Sequence, residues 1–353
     1  MGSNPTLCAR KKEGLCLPFF VLKNCHESLV FYGKMCYNNK VKEKNNRFHD
    51  MKCVFIYNPV SGKGKIPKKL DYIVKKLHEK YDEVEVRATQ SSGDMANFAR
   101  EAIDKVDAII FAGGDGSFNE VLQGVADVEN MPALGYIPSG TVNDIARTLK
   151  IPRNIKKALK IILNGRTAKL DCMKANDRYA MYVIAAGAFT RATYLTSQKQ
   201  KNQMGSIAYF IEGARSELNF DIFNIDCKNE NKEEQTSCVF VSFMNSQSVA
   251  GFRLNRTTKL QDGKIEVAIV SQKKKKGFWN KVGAILSVFK LFLFGYRAKN
   301  RDLIRLEGAL FDVDVGEDVV WIFDGEKGAS GKLHIEVIPQ RVNMIISKKL
   351  KSI

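Results

Sequence analysis

The chain has 353 residues, 44% of them hydrophobic, which is enough for two ordinary domains with their own cores and argues against wholesale disorder. Its formal net charge of +18 exceeds what solubility needs and points to an anionic partner: a nucleotide, a nucleic acid or an acidic membrane surface. Eight cysteines with no tight Cys-x-x-Cys pair and four scattered histidines exclude zinc sites of the usual spacing; a chain this long is also no secreted disulfide scaffold, so the thiols read as reduced and intracellular.

In chain order, residues 1 to 50 are rich in Lys and Asn, hold Cys8, Cys16, Cys25 and Cys36, and keep no sustained period. They read as a disordered extension or a mis-assigned start, with Met51 a sensible initiator; a functional basic arm is the alternative. No continuous apolar region followed by a small-residue cleavage site marks a signal peptide. The run CVFIY then predicts a first strand, and residues 67 to 80 a helix that Pro67 opens. EVEVRAT is the next strand, SSGDMANFAREAI a helix, DAIIFA the third strand, ALGYIP the fourth, and TVNDIARTL the helix after it. Strand and helix in turn predict an open parallel α/β sheet, Rossmann-like, over 51 to 170. From 171 to 339 the rhythm changes to short Val-, Ile- and Phe-rich runs with turn signals, which predicts an antiparallel β-sandwich. Its expected exceptions are helices at 204 to 218 and 278 to 294, a polar loop at 228 to 235 and the lysine run at 273 to 276.

The string GGDGSFNE, 113 to 120, joins the third strand to a helix. Its glycines let backbone approach a ligand, and a helix N-terminus after a parallel strand binds phosphate. Ser117 and Glu120 have capping-box spacing, as do Thr141 and Asp144. Asp115 is out of place beside phosphate unless a cation intervenes, which suggests Mg²⁺ carried on a nucleotide; a tight turn with a turn-forming Asp is the plainer reading. The loops NPVSGKGK, 58 to 65, and PSGTVND, 138 to 144, fall at the same strand ends, where open α/β sheets bind ligands. Neither G-x-x-x-x-G-K-[ST] nor G-x-G-x-x-G occurs.

The segment 273 to 301 holds nine Lys or Arg and no acid, with Trp279, Phe289, Phe292 and Phe294 interleaved. Its apolar stretch is too short to span a bilayer and carries Lys290. It fits an interfacial element on an anionic membrane or, alternatively, a buried helix capping the sandwich. No recognised nucleic-acid module accompanies the charge, so no nucleic acid is expected.

NPVSG, Thr89 with Gly93 and Asp94, GGDGSFNE and PSGTVNDIAR, in that order, resemble the bacterial diacylglycerol kinase and YegS-like lipid kinases, relatives of sphingosine kinases. The resemblance covers roughly 51 to 353, with Ser117 where the family usually has Thr. It implies ATP bound in a cleft between an α/β domain like that of NAD kinase and phosphofructokinase (51 to 170 plus about 340 to 353) and the β-sandwich. The nucleotide would meet Asn58, Pro59, Ser61, Gly62, Thr89, Gly113, Gly114, Asp115, Gly116, Ser117, Asn119, Thr141 and Gly325. DGE, 324 to 326, matches the family's catalytic motif, with Glu326 as proton acceptor supported by Asp324 and with Asp115 positioning Mg²⁺; unaided, DGE is a common turn. KLQDGKIEV, 259 to 267, resembles the family's Mg²⁺ loop, with the Asp262 side chain and the Lys259 and Lys264 carbonyls as ligands, although QDGK is also an ordinary hairpin turn. The implied protein is an ATP- and Mg²⁺-dependent kinase of diacylglycerol or a similar lipid in phospholipid metabolism, cytoplasmic and peripheral to the inner membrane face; a homodimer is compatible with it. A soluble-substrate kinase and a non-catalytic nucleotide-binding regulator are the alternatives.

Overall fold

The structure is a computed structural model that describes residues 50–188, 222–256, 258–272, 278–297 and 299–351. The expectations for the N-terminal extension, the helix at 204 to 218 and the lysine run at 273 to 276 lie outside the described residues.

β1 (Lys52–Tyr57), β2 (Glu83–Ala88), β3 (Ala108–Gly113) and β4 (Ala133–Pro138) run parallel in the order β2–β1–β3–β4. Every residue of β3 is buried, as a central parallel strand covered on both faces requires. The covering helices are α1 (Leu70–Leu77), α2 (Asp94–Ala102), α3 (Asp115–Val125) and, beyond the short α4 (Asp144–Thr148), α5 (Ile155–Asn164). Each of the longer ones turns an apolar stripe inward, such as Ile73, Val74 and Leu77 of α1 or Ala158, Leu159 and Ile162 of α5. Pro67 opens a 3-10 turn rather than the helix, and α1 starts at Leu70.

The second half is antiparallel. β7 (Val183–Gly187) and β10 (Ile265–Ser271) flank the end of the long β9 (Glu233–Met244), while β8 (Phe223–Asn229) pairs with its start. β11 (Leu303–Gly308) extends β10; β13 (Val320–Phe323) and β14 (Glu326–Ser330) extend β7. On the other side β8 leads to β12 (Leu310–Asp314), β15 (Leu333–Ile346), β5 (Arg166–Ala175) and β6 (Arg178–Ala180). The two faces close on a core in which Phe243 of β9 meets Phe311 at 5.4 Å and Trp321 at 6.0 Å between ring centres. The architecture is therefore the expected parallel α/β layer and antiparallel sandwich. The polar loop expected at 228 to 235 shrinks to a hairpin tip, because β8 alternates buried and exposed residues up to Lys228 and can carry polar side chains outward. The Asn229 side chain closes that tip by accepting the backbone N–H groups of Asn231 and Lys232.

α6 (Phe278–Phe294) packs against β10. Ala284, Val288, Leu291 and Phe292 form its buried stripe, and the Phe292 ring meets Phe240 at a tilt and Phe252 edge to face. Leu286, Leu293 and Phe294, on the opposite side, are 54%, 65% and 72% exposed. No described helix is long and apolar enough to cross a membrane.

Candidate active site

The three glycine-bearing loops meet in backbone contact beyond the ends of β1, β3 and β4. Gly62, at φ 60°, has no room for a side chain: a Cβ there would lie 2.4 Å from the Ser139 carbonyl oxygen. A Cβ on Gly140 would lie 2.5 Å from the Cα of Gly114. Ser61 and Ser139 share a hydroxyl hydrogen bond at 2.9 Å. The Asn58 side chain accepts the Val60 N–H, and Thr89 is buried with its N–H on the Tyr57 carbonyl.

The expected capping boxes do not form. Gly114 caps α3 without a side-chain bond, and Glu120 instead accepts the Gly93 N–H and the Ser92 hydroxyl, fastening α2 to α3. The cap of α4 is Asn143, in the left-handed region at φ 57°, again with no side-chain bond. Both loops are tied by tertiary partners, so the local cap is not needed.

Asp115 has the defining contact of this loop cluster. Its two carboxylate oxygens accept the backbone N–H groups of Asn143 and Asp144, each at 2.7 Å. Asp144 is buried in turn and accepts the Ser248 hydroxyl at 2.5 Å and the Gly251 N–H at 2.9 Å. One run of hydrogen bonds thus leads from the GGDG turn to the segment 248–251, whose Val249 and Ala250 line the cleft.

Asp324 and Gly325, at φ 51° and 90°, form the two-residue turn between β13 and β14 that the sequence Asp-Gly favours. The Asp324 carboxylate is buried and accepts four donors: the N–H groups of Met181, Tyr182 and Val183 and the side-chain amide of Asn119 on α3. That network fixes the hairpin against α3. Glu326, by contrast, is exposed, and its carboxylate oxygen lies 2.8 Å from where a Cβ on Gly116 would stand. The carboxylate therefore overhangs the first turn of α3.

These groups frame one cleft of about 1740 Å³. Its lining includes Asn58 to Gly62, Thr89, Gly114 to Ser117, Asn119, Thr141 and Asp324 to Glu326, and continues into an apolar arm of Ala185, Ala188, Phe240, Val249 and Phe292. Gly113 ends β3 beneath it, where a Cβ would strike the Ser117 side chain. Burial raises the Asp115 carboxyl above the usual range, with the Asp144 charge close by adding to it; burial likewise raises Asp144 and Asp324. Burial thus disfavours the charged form of all three carboxyls, a penalty that a bound cation would offset.

Residues 52–175 match the diacylglycerol kinase catalytic domain. A diacylglycerol kinase of Staphylococcus aureus (strain bovine RF122 / ET3-1) is 32% identical over 84% of this chain and 94% of its own. The chain belongs to the diacylglycerol kinase family. A diacylglycerol kinase of Bacillus subtilis (strain 168) is also 32% identical, over 77% of this chain and 89% of its own. A crystal structure of a candidate diacylglycerol kinase from Bacillus anthracis str. Sterne superposes with a TM-score of 0.69 at 26% identity, covering 84% of this chain and 97% of that one. As a member of the diacylglycerol kinase family, the chain is an ATP-dependent lipid kinase.

In this kinase Lys259, Asp262 and Lys264 do not line the cleft. They lie on the turn before β10, where Asp262 accepts the Lys264 N–H at 3.3 Å. Asp171 faces the same turn and accepts the N–H groups of Gly263 and Gln340, each at 2.8 Å. Burial raises the Asp262 carboxyl, and the Asp171 charge adds to the effect, so the pair suits a hard cation. Among the described residues no three His, Cys, Asp or Glu side chains gather as a ready metal centre.

Sequence reasoning treated Asp144 only as a cap and passed over Asp171 and Ser248. Asp144 was findable, since a second carboxylate in a glycine loop poses the question that Asp115 poses. Asp171 also carried a signal, the one acid in β5, at a buried position. Nothing marked Ser248.

Proposed function

We propose that this lipid kinase transfers the γ-phosphoryl group of ATP to the free hydroxyl of diacylglycerol or a closely related lipid, giving phosphatidic acid or its equivalent. The observation behind this is a single cleft lined by the backbone-rich glycine loops, by Glu326 and by an apolar arm. Residues 51 to 170 with the last strand supply the nucleotide side, and 171 to 339 the acceptor side.

Loop amides and the α3 N-terminus hold the phosphates. Glu326 takes the proton of the acceptor hydroxyl as the new P–O bond forms, and Asp324 holds the hairpin that carries it. Asp115 and its neighbours would hold Mg²⁺ that arrives with the nucleotide, and a second ion would sit between Asp262 and Asp171. Mg²⁺ so bound neutralises charge on the phosphates. The clustered carboxyls of the cleft, raised by burial, fit that role. The exposed apolar side of α6, which carries Lys290 and lies amid the basic segment 273 to 301, fits docking on the anionic inner face of a membrane.

The test is ³²P transfer from ATP and Mg²⁺ to a lipid extract, to NAD and to sugar phosphates, with the labelled product identified by mass spectrometry. Label in a lipid monophosphate is expected. Label confined to the aqueous phase refutes the proposal.

A further inference from the structure

The cleft is lined by six carboxylates, Asp115, Glu120, Asp144, Asp177, Asp324 and Glu326, and among its described lining residues only Arg178 and Lys327 carry positive charge. A site that handles phosphate needs cations, and Arg178 is held as a cation at a fixed place. Its guanidinium carbon lies 4.9 Å from the ring centre of Phe323, over the aromatic face. One guanidinium nitrogen donates to the Lys327 carbonyl at 2.7 Å. That bond uses one of five N–H donors, and no described carboxylate pairs with the group.

The placement relative to the DGE turn is informative. Phe323 and Glu326 face each other directly across the turn. Side chains of such a pair lie on one face of the hairpin with Cβ atoms about 5 Å apart. Arg178 lies over the Phe323 ring and donates to the carbonyl of the residue after Glu326, so its guanidinium is held against the same hairpin that carries Glu326. Glu326 in turn overhangs α3, where the phosphates are expected.

We propose that Arg178 is a phosphate-binding residue of the acceptor side, its guanidinium fork receiving the phosphoryl group as it leaves the nucleotide and holding it as the lipid monophosphate. This rests on the phosphoryl-transfer reading above. In the step, the bond between the γ-phosphorus and the β–γ bridging oxygen breaks, a bond from the acceptor oxygen forms, and the hydroxyl proton passes to Glu326. The phosphoryl group would otherwise end its transfer against a carboxylate alone. A guanidinium there offsets the repulsion and matches phosphate with two parallel donors.

Arg178→Gln keeps a donor for the Lys327 carbonyl and removes the charge; Arg178→Lys keeps the charge and loses the fork. The full chain is assayed with ATP, Mg²⁺ and dioctanoylglycerol in mixed micelles, with dioctanoyl phosphatidic acid as product inhibitor. For Arg178→Gln we expect kcat lower by about 100-fold and product inhibition weaker by about tenfold, with KM for ATP and the melting temperature unchanged. Arg178→Lys recovers part of both. Wild-type kcat and wild-type inhibition in Arg178→Gln overturn the proposal. So does a loss of turnover matched by a fall in melting temperature with inhibition intact. Calorimetric binding of dioctanoyl phosphatidic acid, read without turnover, separates the two ideas: a wild type that phosphorylates no lipid refutes the kinase reading, and equal binding to wild type and Arg178→Gln refutes the role of Arg178.

Discussion

Asp115 accepts the backbone N–H of Asp144 at 2.7 Å, and the Asp144 carboxylate reaches onward to Ser248 and Gly251. The loop that would hold phosphate and the segment that lines the acceptor arm are therefore set by consecutive hydrogen bonds. Asp144→Ala leaves the buried Ser248 hydroxyl and the part-buried Gly251 N–H without their acceptor and should cost about 3 kcal/mol of stability. Ser248→Ala removes one donor and leaves the GGDG turn alone. Its expected effect is a higher KM for lipid with KM for ATP unchanged, measured on short-chain acceptor in micelles.

Glu326 is exposed and takes no part in the core, so Glu326→Gln should fold as wild type. Turnover should fall by about 10²–10⁴-fold, the usual contribution of a general base. Nucleotide binding, read by calorimetry, should persist. Near-normal turnover in this variant would remove Glu326 from its assigned role.

Gly116 gives a second, geometric test of the same arrangement. A Cβ there would stand 2.8 Å from the Glu326 carboxylate oxygen. Gly116 sits inside α3, where alanine is the better helix former, so Gly116→Ala should melt no lower than wild type. It should nevertheless displace Glu326 and lower kcat by about tenfold. Steady-state kinetics beside a thermal melt check both parts.

Leu293 and Phe294 are among the most exposed large apolar side chains of the described residues, and neither faces the core. Leu293→Ser with Phe294→Ser should leave the melting temperature unchanged and lower affinity for vesicles containing phosphatidylglycerol by roughly tenfold or more. Sedimentation with such vesicles reads this directly, and activity on dioctanoylglycerol in micelles should change little.

Glu266 of β10 is buried, with one carboxylate oxygen lacking a hydrogen-bond partner, and burial pushes its carboxyl up to about 7. A carboxyl raised on folding favours the native state below its unfolded value, and that contribution is lost as pH rises through about 7. Glu266→Gln should therefore match wild type near pH 5 and melt roughly 5 °C higher at pH 8. Parallel melting curves at the two pH values check the sign.

The α/β half was legible because its strands are short apolar runs and its helices keep a clean period, as in β3 and α5. The sandwich was legible as strands, though not the way β9 serves both faces, since pairing partners are not written in local pattern. That the glycine loops meet at one cleft could be read from strand-end geometry. What Asp115 does could not, because its partners Asn143 and Asp144 are neighbours only after folding. The capping boxes failed for a related reason: Glu120 matches the spacing, but Gly93 offers it a tertiary donor. Arg178 is a single basic residue in a chain with many, and only its place over Phe323 distinguishes it.

β15 is paired at its start with β12 of the sandwich, runs alongside β5, and places Met344 beside Leu134 at the edge of the parallel sheet. On the ribosome, β4 therefore emerges roughly two hundred residues before the strand that covers its open side. Until β15 is made, the growing chain exposes an unpaired sheet edge. A stop codon just upstream of β15 would leave nearly all of the cleft residues encoded, yet yield a product with an open sheet edge and prone to aggregate.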